Sequence, residues 1–113
     1  MKPTDIIKSI KMEGARKSVL MNAARHENQS VRGTAFQLLA QNYPDDEVIS
    51  LIRNSALDPI NFVPIMGSAS LAHFCVKLLV NIGSENSRMA AADLIKEWPP
   101  DDRKDLEWFL KNG

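Results

Sequence analysis

The chain has 113 residues, 44% of them hydrophobic and 25% charged, with 14 Lys/Arg balanced by 14 Asp/Glu. That length suits one domain with a modest core, and a net charge of zero sets up no global field to gather nucleic acid or an anionic membrane. Cys75 is the only cysteine, which excludes an intramolecular disulfide, and with only His26 and His73 the usual ligands of a transition-metal site are scarce.

The charge is nonetheless segregated. Residues 1 to 32 hold seven Lys/Arg (Lys2, Lys8, Lys11, Arg16, Lys17, Arg25, Arg32) against Asp5, Glu13 and Glu27, a net of +4, and the remainder carries a net of −4. The opening stretch MKPTDIIKSIKMEGARK has no apolar run like a signal peptide's, and no later run approaches membrane-spanning length. A reducing cytoplasm and no membrane partner are the expectation, with no metal and no cofactor.

In chain order, Ile6, Ile7 and Ile10 predict a helix from Thr4 that Gly14 breaks. KSVLMNAAR follows with a stripe of Val19, Leu20, Ala23 and Ala24, flanked by the long stem of Arg16. SVRGTAFQLLAQN places Val31, Ala35, Leu38 and Leu39 on one face. After Pro44, the residues Val48, Leu51 and Ile52 with Ser55 or Ala56 predict a helix ending near Leu57. Asp58-Pro59 reads as an N-cap before a first-turn proline, opening a single-turn helix around Ile60 to Val63 that Pro64 prevents from growing. The apolar residues Ile60, Phe62, Val63, Ile65 and Met66 either fill core or form a docking surface. LAHFCVKLLVNIG has Leu71, Phe74, Cys75, Leu78, Leu79 and Ile82 at helical spacing, stopped by Gly83. NSRMAAADLIKEW and DDRKDLEWFLKN complete an all-α set of about seven or eight helices joined by short connectors, as in a bundle or a solenoid of antiparallel helix pairs.

An internal echo decides between those two. Sliding the chain by 56 residues brings Arg32 onto Arg88, Ala35 onto Ala91, Leu38 onto Leu94, Leu39 onto Ile95, and Pro44-Asp45-Asp46 onto Pro100-Asp101-Asp102. The shared element is a helix, a tight proline turn and the start of a second helix. Units that cannot bury their faces alone stack into a solenoid.

The acidic copies of that echo invite two readings. Asp45, Asp46, Glu47, Asp101 and Asp102 follow a proline at a helix start, where each carboxylate gains about 0.3–1 kcal/mol from the helix dipole. Together with Glu97, Asp105 and Glu107 they also make an acidic band suited to a basic partner. Trp98, at a helix end beside that band, fits either core or a partner-binding anchor, whereas Trp108 beside Phe109 and Leu110 reads as core. Asp45, Asp46, Glu47, Glu97, Trp98, Asp101, Asp102 and Asp105 are therefore the candidate partner-binding residues. The basic N-terminal residues lack aromatic interleaving and read as a solvated helix face. Cys75 lies on an apolar stripe, His73 beside it, and His26 at a helix end. No catalytic constellation emerges, and an enzyme is not expected.

At ENQSVRGTAFQLLAQNYPDDEVISLI the chain resembles a HEAT repeat, on Val31-Arg32-x-x-Ala35-x-x-Leu38-Leu39, with Asn28 or Ser30 where Asp is usual. The unit at NSRMAAADLI keeps Arg88, Ala91 and Leu94 without the Val, and LAHFCVKLLVNIG keeps the apolar face and closing glycine without the Arg. Together these units cover residues 15 to 112 of a single domain. The resemblance implies a short HEAT-like α-solenoid that binds another macromolecule. Small solitary solenoids of this kind look like bacterial immunity proteins of the contact-dependent growth inhibition type, which neutralise one cognate toxin, commonly a nuclease with a basic cleft. The resemblance also admits a small nucleic-acid-binding or DNA-glycosylase-like protein, or an intracellular adaptor subunit.

Overall fold

A computed structural model describes residues 2–12, 16–62, 64–66 and 69–98, together with Lys104, Leu106 and Lys111. Among them are six α-helices: α1 (Pro3–Met12), α2 (Lys17–Ala23), α3 (Gln29–Asn42), α4 (Asp46–Ser55), α5 (Leu71–Ile82) and α6 (Glu85–Glu97). A 3-10 turn (Pro59–Phe62) and two short antiparallel strands, β1 (Pro64–Met66) and β2 (Ala69–Ser70), lie between α4 and α5. Among the described residues the regular structure is thus helical apart from one minimal strand pairing, which begins at Pro64. Of the seventh expected helix, Lys104, Leu106 and Lys111 are helical and Leu106 is buried; the rest of it lies outside the described residues.

The chain forms two compact units, residues 1–44 and 45–113. Residues 33 to 44 carry no charge, so the unit boundary coincides with the charge boundary: the first unit has a net of +4 and the second −4.

In the first unit α3 packs against both α1 and α2. Its core is Ile10 of α1, Leu20, Ala23 and Ala24 at α2, and Val31, Ala35, Phe36 and Leu39 of α3. Pro3 opens α1 at the position where a missing N–H costs nothing. Val19, expected on the buried stripe of α2, is instead 46% exposed, and Arg16 is exposed too. Leu20 and Ala23 suffice to seat so short a helix.

In the second unit α5 is central, packed against α4, α6, β2 and the 3-10 turn, while α4 also meets α6. Neighbours on several sides explain why its burial exceeds the expected stripe. Ala72, His73 and Val76 are buried along with Leu71, Cys75, Leu78 and Leu79, and Phe74 and Ile82 are only half-buried. Gly83 ends α5 in the left-handed region at φ +72°, a conformation that a Cβ would oppose. In the 3-10 turn the buried residue is Asn61, whose amide donates to Ser55 O at 2.9 Å, whereas Ile60 is 47% exposed. Asp58 is the expected cap: its Oδ1 accepts the Ile60 N–H at 3.1 Å.

Candidate protein-binding surface

The first Pro-Asp-Asp begins α4 as helix chemistry requires. Asp45 is the N-cap, its Oδ1 accepting the Val48 N–H at 3.0 Å, and Asp46 and Glu47 occupy the first turn. All three are exposed. Asp46 does more than face the dipole, because its carboxylate also accepts a hydrogen bond from Asn86 Nδ2 at 2.8 Å, tying the starts of α4 and α6 together. Glu97 ends α6 and pairs with Arg53 across 3.7 Å; both side chains are well exposed, so the pair contributes little stability. Asp101, Asp102 and Asp105 lie outside the described residues, as does the second Pro-Asp-Asp.

Trp98 is a correction to the expected set. It is 2% exposed, its ring 5.3 Å from Phe62 and 5.1 Å edge-on from His73, so it belongs to the core of the second unit. A side chain enclosed in this way cannot also stand out as a surface anchor. The described acidic candidates are therefore Asp45, Asp46, Glu47 and Glu97.

Residues outside that set carry charge and apolar surface as well. On α6 the helical stripe Glu85, Met89 and Asp93 is exposed, Met89 at 59%. Among the described residues neither Glu85 nor Asp93 has an ion-pair partner. Sequence reasoning did not single out Met89. Its degree of exposure depends on tertiary packing.

The two arginines of the echo share a task. Arg32 Nη1 donates to the carbonyls of His26 at 2.9 Å and Glu27 at 2.8 Å, and Arg88 Nε donates to Gly83 O at 3.0 Å. Each stands at the fourth helical residue and reaches back to the loop before its helix. The caps correspond too: Asn28 Oδ1 accepts from the N–H groups of Ser30 and Val31, and Ser84 Oγ from that of Ser87. Their depths differ, since Arg32 is 3% exposed and Arg88 lies at the surface.

Ser70 and His73 are the nearest approach to a nucleophile and base, with Oγ 2.8 Å from Nδ1. Both are buried, and Nδ1 also accepts the Ser70 N–H at 3.1 Å, completing a capping box at the start of α5 in which His takes the place usual for Glu or Gln. Cys75 is wholly buried. His26 Nδ1 accepts the Asn28 N–H at 3.0 Å and shapes the turn before α3. Among the described residues no three His, Cys, Asp or Glu side chains group as metal ligands would, and no helix is long and apolar enough to cross a membrane.

Comparison with protein-family models, with curated proteins and with solved structures finds no match to this chain.

Proposed function

We propose that this protein is a non-catalytic, cytoplasmic protein-binding module, an immunity protein that neutralises one basic toxin domain through the acidic surface of its second unit. The observation that carries this reading is the exposed group Asp45, Asp46 and Glu47 at the start of α4, with Glu97 ending α6, on a unit whose net charge is −4. Such a surface steers a basic cleft toward it and raises the association rate more than it raises affinity. The recurrence of cap and back-reaching arginine at the same 56-residue offset supports a HEAT-like repeat, with the whole chain as one short solenoid.

The test is co-expression with the product of the adjacent gene, comparing the native chain with D46K/E47K. Asp45 is kept because it caps α4. The double reversal is expected to weaken partner binding at least about tenfold while costing no more than about 2 kcal/mol of stability from the helix dipole. Unfolding without a separate effect on binding would leave the acids as helix-start residues and nothing more.

The exposed Lys8, Lys11, Arg16 and Arg25 of the first unit favour a second reading, a small nucleic-acid-binding protein. That reading requires DNA binding whose logarithm falls linearly with log salt, at a slope counting the phosphate contacts.

A further inference from the structure

We infer that copies of this protein associate head to tail, the α6 stripe Glu85, Met89 and Asp93 of one copy seating on the α2 region of the next. This goes beyond the toxin-binding reading and does not rest on it. Two charges, on Asp93 and Arg16, are not explained by their own helices. Asp93 lies in the C-terminal half of α6, away from the positive end that rewards a carboxylate, and it has no ion-pair partner among the described residues. Arg16 takes the N-cap position of α2 without capping it, a cation at the end where unsatisfied N–H groups already concentrate positive charge. Local helix energetics disfavours the one and gives nothing to the other.

Each charge sits beside an apolar side chain left in solvent. Glu85 and Asp93 stand one turn either side of Met89, roughly 5–6 Å away between Cβ atoms on such a helix. The stripe ends at Lys96, a turn further on. Arg16 lies one turn before Val19, and Arg25 follows the end of α2. Met89 and Val19 are 59% and 46% exposed, and α2 has no acid in its first turn. The two surfaces are thus opposite in charge, each has an apolar centre, and they belong to units of net −4 and +4. With a net charge of zero on the chain, no overall repulsion keeps copies apart. A basic surface complementary to the α6 stripe is present on the protein itself, which commits the occupant to a second copy. Unlike patches in contact make a heterologous interface, and a pair of copies retains one free surface of each kind.

Sedimentation velocity of the native chain tests this. Species heavier than the monomer are expected at low ionic strength and should dissociate as salt rises from about 0.01 to about 1 M, which shortens the Debye length from about 30 to about 3 Å. E85K/D93K and R16E/R25E, all at exposed positions, should each weaken association at least about tenfold. An equimolar mixture of the two is the decisive sample. One variant then carries two basic surfaces and the other two acidic ones, so each alone should stay monomeric while together they should associate again. A native chain that stays monomeric at low salt overturns the inference, as does a mixture that shows no rescue. Association unaffected by either reversal overturns it too. M89A in the native chain should weaken association, and unchanged association would remove Met89 from the interface and with it the proposed seat.

Discussion

The start of α3 and the start of α6 are built from the same parts 56 residues apart, a capping side chain and an arginine at the fourth helical position that reaches back to the preceding loop. They differ in depth. Arg32 is enclosed and serves two carbonyls with one nitrogen, whereas Arg88 is open to water and serves one. A donor that water can replace stabilises little, and one that water cannot reach leaves its acceptors stranded when it is removed. The repeated motif keeps its geometry at both sites without keeping its energy.

Breaking the buried copy should have the largest effect. Arg32→Ala strands the carbonyls of His26 and Glu27 and is expected to lower unfolding free energy by about 3 kcal/mol, read as the shift in urea midpoint. Next come the caps, where Asn28→Ala and Ser84→Ala should each cost about 1 kcal/mol. The Asn28 change should cost more, since that side chain accepts from two backbone N–H groups and Ser84 from one. Smallest is Arg88→Ala, expected within about 0.5 kcal/mol of the native chain by the same measurement. Equal losses for the two arginines would erase the distinction drawn from depth.

The parts of the fold fixed by local pattern were legible in the sequence. The apolar stripe of α5, its stop at Gly83, the cap at Asp58 and the start of α4 after Pro44 all depend on residues within a turn or two of each other. Arg32 was visible as a motif residue, but its burial was not, because that depends on where the backbone of His26 and Glu27 runs. Trp98 shows the same limit. Its enclosure comes from Phe62 in the 3-10 turn and His73 in α5, segments that sequence distance gives no reason to bring to the end of α6. Val19 failed in the opposite direction: apolar, correctly spaced, and left in solvent. The acidic candidates were legible as helix-start chemistry at Asp45, while the bond from Asn86 to Asp46 crosses between helices that no local pattern links.

The enclosure of Trp98 also decides what light can report. Both tryptophans, Trp98 and Trp108, fall in the second unit, and the single tyrosine, Tyr43, falls in the first. Indole fluorescence excited at its red edge is therefore a private channel to the second unit, and the buried ring at 98 should shift its emission to longer wavelength when that unit opens. Circular dichroism of the helices records both units at once. Coincident midpoints from the two signals would define a single cooperative transition, and separate midpoints would define two. The distribution of three rings along the chain gives the acidic unit an optical signature that the basic unit does not share.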